Sequence, residues 1–259
     1  MCHPKSRFLL SRGARASERQ GSVAGQLRPR DLKKRFESLT FSPDSAIFRS
    51  MSRAPSFGGV ILAAGESSRM GMDKALLPWP PSAEGQPPSK DTFLSAAIRS
   101  LSPSSDFVLV VAGKNEPALA PVVYAAGASI VANPDPARGQ FSSLQIGLQE
   151  VLNRGRDAAI ITLVDRPPAS AATVQRLREA FESAEMNILA VVPEFQGKHG
   201  HPYVIGRDMM EKFLQVPATN SAREIEHGVQ DQILYLAVDD ANVALNVNTP
   251  EDYAALKSS

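Results

Sequence analysis

From residue 57 onward, short continuous apolar runs alternate with segments whose apolar positions recur at helical spacing. The runs GGVILAA (58–64), FVLVVAG (107–113), ASIVAN (128–133), AAIITLV (158–164) and NILAVVP (187–193) predict strands. All but one are uninterrupted and rich in Val and Ile, the pattern of strands covered on both faces by helices. Helices are predicted near 91–101, 116–126, 141–153 and 170–184. In SSLQIGLQEVL, Leu144, Leu148, Val151 and Leu152 fall at i, i+4, i+7 and i+8, one buried helical face. The C-terminal third is less regular, with strands predicted at 201–206, 232–238 and 241–247. It closes on a helix opened by Thr249, Pro250, Glu251 and Asp252, a capping residue followed by proline and acids in the first turn. Residues 78–90 hold five prolines and no periodicity, which predicts a surface insertion or lid. No solenoid-type repeat is present.

Alternation of this kind predicts a mostly parallel sheet between helices, and in such sheets ligands bind outside the carboxyl ends of the strands. Four polar stretches follow predicted strands: Gly65 to Lys74, Asn133 to Ser143, Asp165-Arg166-Pro167, and Asn246-Val247-Asn248. They are expected to converge on one cleft.

Composition adds a division. Residues 1–55 carry nine Arg and three Lys against four acidic residues, net +8, which leaves −7 for the other 204. This Ser- and Arg-rich stretch has only short helix candidates, such as 31–39, and is expected to be a disordered extension before a domain spanning 56–259. A nucleic-acid or membrane-surface arm, an organelle-targeting peptide, and a true start at Met51 all fit it. The single cysteine, Cys2, excludes an internal disulfide and a Cys-based metal cluster. No apolar stretch approaches the roughly 18 residues that span a bilayer, so a cytoplasmic protein is expected, with neither a membrane nor a nucleic acid as partner of the main domain.

The chemistry concentrates after the first strand. Gly65 and Gly71 let backbone approach a base or phosphates, Ser67 and Ser68 offer hydroxyls, and Arg69 and Lys74 offer positive charge. Asp165 ends an apolar run, where a carboxylate serves either as the cap of the next helix or as a ligand for a hard cation such as magnesium. Asn246 and Asn248 are turn formers or further oxygen ligands. Ser142 caps the helix that follows it, or marks with Ser143 an anion site at that helix start. A lone histidine such as His201 is as readily structural as substrate-contacting.

The stretch Leu62-Ala63-Ala64-Gly65-x-Ser67-x-Arg69-Met70-Gly71-x-x-Lys74 resembles the signature of the MobA-like nucleotidyltransferases that attach CMP or GMP to molybdopterin cofactor. NPDPARGQFSSLQIGL, LVDRPP, GKHGHPYVI and NVNTPEDY follow in that family's order, so the resemblance covers about residues 58 to 254. It implies an α/β, three-layer Rossmann-like nucleotidyltransferase fold with a mostly parallel mixed central sheet. It implies nucleotide binding by Leu62, Ala63, Ala64, Gly65, Ser67, Arg69, Gly71, Lys74 and Asn133, with Arg69, Lys74 and Asp165 catalytic. Substrate binding falls to Gly139, Ser142, Ser143 and His201, and Mg²⁺ to Asp165, Asn246 and Asn248. Ala64, where guanylyl-transferring relatives carry glycine, points to CTP; the asparagine pair resembles the guanylyl branch. Arg166 departs from the family's glutamine and bears on the acceptor contacts.

The reaction implied is attack by the acceptor's phosphate on the α-phosphorus of an NTP with loss of pyrophosphate. The ionised phosphate needs no general base, in keeping with the lack of a Ser-His-Asp or Cys-His constellation. A molybdenum hydroxylase is an expected partner for the product. The alternatives are a sugar- or polyol-phosphate nucleotidyltransferase and a non-catalytic nucleotide- or cofactor-binding delivery protein. A dinucleotide-dependent oxidoreductase is disfavoured, because no Gly-x-Gly-x-x-Gly follows the first strand.

Overall fold

The computed structural model describes residues 53–65, 70–82 and 85–256. Residues 1–52, with the candidate helix 31–39 and Met51, lie outside the described residues, as do Ser67, Ser68 and Arg69. At Arg53 the described chain is already tied to the domain: Arg53 Nη2 and Ser56 Oγ donate to Asp157 Oδ2 at 2.9 and 2.6 Å.

Strand β1 (Phe57–Ala63) is buried along its whole length and pairs in parallel with β2 (Phe107–Ala112) on one side and β4 (Ala158–Leu163) on the other. Beyond β2 lies β3 (Ser129–Ala132), also parallel. Beyond β4 the sheet reverses at β7 (Tyr203–Gly206), antiparallel to β4 and to β5 (Ala190–Phe195). β8 (Ile233–Ala237) runs parallel to β5, and the two-residue β6 (Lys198–His199) turns back against it. The result is an eight-stranded mixed sheet in which β6 and β7 oppose the rest.

Side chains alternate across β1: Phe57, Ile61 and Ala63 enter one core, Val60 and Leu62 the other. The first core is completed by α1 (Phe93–Leu101), α2 (Glu116–Ala125) and α4 (Ala171–Ser183), through Leu94, Ile98, Leu119, Val123, Val174 and Leu177. The second is completed by α3 (Gln140–Asn153) and α5 (Arg207–Gln215), through Leu144, Leu148, Val151, Met209, Met210 and Phe213. Helices on both faces make the three layers expected from the apolar runs, each fully buried Leu or Ile contributing about 1.5–3 kcal/mol. Because the chain moves from β1 out to β3 and then returns to β4, the sheet order switches beside β1. A crevice therefore opens at the carboxyl ends of β1 and β4.

Two expectations are corrected. Residues 241–247 form no strand: Ala241–Ala244 is a 3-10 turn, and Asn246 and Asn248 lie in the loop after it rather than at a strand end. Asp240 explains this locally, since its Oδ1 accepts from Asn242 N at 3.1 Å and closes the turn in place of a ladder. The strand predicted at 187–193 begins at Ala190, because Ile188 N is engaged in a turn with Glu185 O at 3.0 Å. The segment 78–90 forms no helix or strand among its described residues, as expected. Trp79 N donates to Asp91 O at 2.8 Å, Trp79 packs edge-on against Phe93 at 4.9 Å, and the segment's described residues border neither cavity of the site. Helices α5 and α6 (Ala222–His227) went unforeseen, whereas α7 (Pro250–Ala255) has the expected Thr249 cap, closed into a box by Asp252.

Candidate active site

A cavity of about 180 Å³ sits in the crevice, lined by Leu62, Ala64, Gly65, Lys74, Gly139, Ser143 and Asp165 among others. Three of the four polar stretches therefore meet in it, and the fourth joins through a side chain: Lys74 Nζ donates to Asn248 Oδ1 at 3.1 Å.

Lys74 opens a 3-10 turn (Lys74–Leu76) capped by Asp73, whose Oδ1 accepts from Ala75 N at 3.0 Å. The other carboxylate oxygen of Asp73 accepts from Asn115 Nδ2 at 2.6 Å. The same amide also donates to Ala63 O at 2.9 Å, while Asn115 Oδ1 accepts from Gly113 N at 2.9 Å. Asn115 thus ties the exit of β1, the exit of β2 and the lysine-bearing turn together. Residue type alone does not single out Asn115 or Asp73, although Asn115, like the four polar stretches, follows a predicted strand. Gly71 takes φ +67°, the left-handed region in which a Cβ is costly, and turns the loop back toward Lys74. Leu62 and Ala63 are buried in β1, Ala64 is buried just past it, and Gly65 is exposed at the cavity.

Asp165 stands two residues beyond β4. It caps no helix, since α4 begins at Ala171 with Ser170 as its cap. Its backbone is held by Val247 N, which donates to Asp165 O at 2.8 Å and so brings the asparagine loop beside the carboxylate. Asp165 Oδ1 is buried and has no hydrogen-bond partner. A buried carboxylate oxygen left unpaired is costly and is the mark of a group that completes its coordination with a ligand. Of the two asparagines, Asn246 is exposed and Asn248 faces Lys74.

Gly139 enters α3 at φ +98°, a backbone open in practice to glycine alone, and serves as the helix's N-cap. Ser142 lies inside α3 rather than capping it, and its hydroxyl donates to Gly139 O at 2.7 Å. Asn133 is buried, and its amide donates to Ser142 Oγ and Ser143 Oγ, both at 2.9 Å. Asn133 and Ser142 therefore brace the wall, and Ser143 lines the cavity.

A second, larger cavity of about 670 Å³ shares Leu62, Gly139, Gln140 and Leu163 with the first, so the two are compartments of one cleft. Its lining includes Arg166, His201, Tyr203 and Glu226. Burial, reinforced by the Arg166 charge, holds His201 down at about 3, so the imidazole is neutral at neutral pH and too weakly basic to serve as a general base. Burial also raises Tyr203, with the Glu226 carboxylate adding to the effect. Glu226 itself is raised by burial, against the nearby His227 and Arg223.

Fold and site together define an α/β enzyme with a two-compartment cleft at the carboxyl ends of β1 and β4. The chain belongs to the family described as the MobA-like NTP transferase domain, whose model matches residues 59–233, and it is accordingly a nucleotidyltransferase. It is 26% identical over 200 residues to the molybdenum cofactor cytidylyltransferase of Escherichia coli, covering 76% of this chain and 94% of that one. It is 27% identical over 201 residues to the molybdenum cofactor guanylyltransferase of Xanthomonas euvesicatoria, covering 76% and 93%. The crystal structure of Rv0371c from Mycobacterium tuberculosis superposes with a TM-score of 0.66 at 26% identity, over 80% of this chain and all of that one. The same mycobacterial protein has also been solved as a complex with manganese. Among the described residues no helix is long and apolar enough to cross a membrane.

Proposed function

We propose that this chain transfers a nucleoside monophosphate, CMP from CTP, to the terminal phosphate of molybdopterin cofactor with magnesium and releases pyrophosphate. The observation that carries this is the meeting of the unpaired Asp165 carboxylate oxygen and Lys74 in one cavity with Gly65 and the start of α3. Similarity to both a cytidylyl- and a guanylyltransferase supports the acceptor class and leaves the base to Ala64, which lines the cavity and favours CTP.

The residues present fit a hard divalent cation. One carboxylate with an open oxygen is what magnesium needs from a protein when phosphates and water supply the rest. Asp165 would hold it, with Asn248 and Asn246 on the adjoining loop as outer oxygen donors, and the ion would supply positive charge that neutralises the phosphates. The manganese complex of the mycobacterial relative is in keeping with a divalent ion.

Chain residues do the remainder. Gly65 and Gly71, with Leu62, Ala63 and Ala64, let the chain after β1 lie against the nucleotide, and Ser67 and Arg69, outside the described residues, keep the nucleotide-binding role, and Arg69 the catalytic one, that the resemblance implies. Lys74 lies where negative charge builds as the α-phosphorus changes partners, and a preorganised cation there lowers the barrier. Asn133 acts through Ser143, whose hydroxyl it holds at the wall, while Gly139, Ser142 and His201 shape the acceptor side. An acceptor phosphate oxygen bonds to the α-phosphorus as the bond to the bridging oxygen breaks, and that electron pair leaves with pyrophosphate. The attacking phosphate is already ionised, so positioning and charge neutralisation are the catalysis. A molybdenum hydroxylase is the consumer such a product would have.

The test is pyrophosphate release by the purified full chain with magnesium, molybdopterin cofactor, and CTP or GTP in separate reactions. Release with CTP is expected. Preference for GTP would make the asparagine loop the better guide to the base, and no release with either would send the search to sugar phosphates.

A further inference from the structure

Among the described residues five side-chain polar atoms are buried without a hydrogen-bond partner, and three of them border this one cleft: Asp165 Oδ1, Arg166 Nε and His201 Nδ1. Their clustering is a consequence of the 241–247 loop. Val247 N holds Asp165 O at 2.8 Å, Leu245 O accepts from Arg166 Nη1 at 3.4 Å, and Val243 O accepts from His201 N at 3.0 Å. Gly200 makes the last contact feasible, because a Cβ there would run into Val243 O. One loop therefore sets three adjacent groups in place with polar capacity unspent.

Consecutive residues serve different compartments. Asp165 lines the smaller cavity and Arg166 the larger, so a carboxylate and a guanidinium stand on opposite sides of the boundary where the two compartments join. The guanidinium has five N–H donors and a single long hydrogen bond to Leu245 O. Burial lowers its pKa from the ordinary arginine value, and Asp165 opposes that shift. An arginine remains charged under such a shift, and its planar fork of parallel N–H donors pairs with two oxygens of an anion such as a tetrahedral phosphate monoester. His201 and Tyr203, which line the same cavity, meet edge to face at 5.1 Å, and His201 Nδ1 has no hydrogen-bond partner among the described residues. An uncharged ring with hydrogen-bonding edges suits such a lining.

We infer that Arg166 is the acceptor clamp. It grips the phosphate of a phosphorylated heterocycle whose ring lies over His201 and Tyr203, and it presents that phosphate across the boundary to the nucleotide compartment. The inference rests on the transferase reading for which compartment is which, but its test does not depend on turnover.

The experiment is equilibrium binding to the full chain, preloaded with magnesium and a non-hydrolysable CTP analogue, of two fluorescent probes: 6-hydroxymethylpterin and its monophosphate. The wild type is expected to bind the phosphorylated probe about tenfold or more tightly than the other, the range of one charge-assisted contact. Arg166→Gln should bind the two alike and leave affinity for the CTP analogue unchanged, which also certifies its fold. Arg166→Lys should restore part of the preference, having the charge without the fork. A preference that survives in Arg166→Gln, or a wild type that binds neither probe or both equally, overturns the clamp. Phosphate discrimination lost in Arg166→Gln while the wild type releases no pyrophosphate with molybdopterin cofactor would uphold the clamp and overturn the proposed transfer of CMP to that cofactor instead.

Discussion

Lys74 Nζ donates to Asn248 Oδ1 at 3.1 Å, joining two residues 174 positions apart beside the smaller cavity, which Lys74 lines. Asn248 is placed for this by Asp252, whose Oδ2 accepts from Asn248 N at 2.8 Å and Thr249 N at 2.9 Å within the cap of α7. Those two backbone donors hold the Asp252 carboxyl below its ordinary range.

Lys74→Ala should lower kcat by about two orders of magnitude, the effect of losing one preorganised charge contact worth roughly 3 kcal/mol. Asn248→Ala should cost less, because it removes one partner of the lysine and one outer oxygen donor but leaves the ammonium in place. Single-turnover rates of both variants, with nucleotide affinity measured alongside, check the order; equal losses would mean the contact itself, rather than the ammonium, carries the effect.

Asp165→Asn should abolish turnover and weaken the response to added magnesium, yet leave the melting temperature unchanged or higher. The reason is that the native carboxylate is held with an unpaired buried oxygen, a cost that the neutral amide reduces. A variant that keeps its wild-type kcat would remove Asp165 from the metal role.

Asn115→Ala should raise KM for the nucleotide and destabilise the domain by about 1–3 kcal/mol, since Asp73, Ala63 O and Gly113 N all lose a buried partner. Urea denaturation and KM measured on one preparation test both halves.

Buried His201 makes stability depend on pH. Its folded pKa, about 3, lies below the unfolded value of 6.5, so between those limits the unfolded chain binds the extra proton. Stability is therefore fully present above pH 6.5 and is lost as pH falls toward 3, with a slope of up to about 1.4 kcal/mol per pH unit from this group. Urea melts between pH 4 and 7 should show a shallower slope in His201→Gln than in the wild type; identical slopes would deny the imidazole this part.

The three layers and strands β1, β2 and β4 were legible because both faces of those strands are covered, so their apolar runs are continuous and hard to mistake. Convergence of Gly65, Lys74, Gly139 and Asp165 followed from the rule that parallel strands deliver their carboxyl ends to one edge. The 241–247 segment misled for a physical reason: Val243 and Val247 are apolar to suit burial under a 3-10 turn and loop, and alternation with polar neighbours imitates a strand. Asn133 and Ser142 read as ligand contacts because short polar residues at a strand end serve equally well as braces, and only the partners they meet distinguish the two uses.

What the sequence determined by itself was the set of elements that local periodicity encodes and the chemistry each strand end carries. Tertiary structure alone decided which unspent groups face one another: Lys74 with Asn248, and Asp165, Arg166 and His201 around the 241–247 loop. Such pairings rest on backbone hydrogen bonds between segments tens of residues apart or more, as from Val247 to Asp165, and no short window of sequence contains both ends of them.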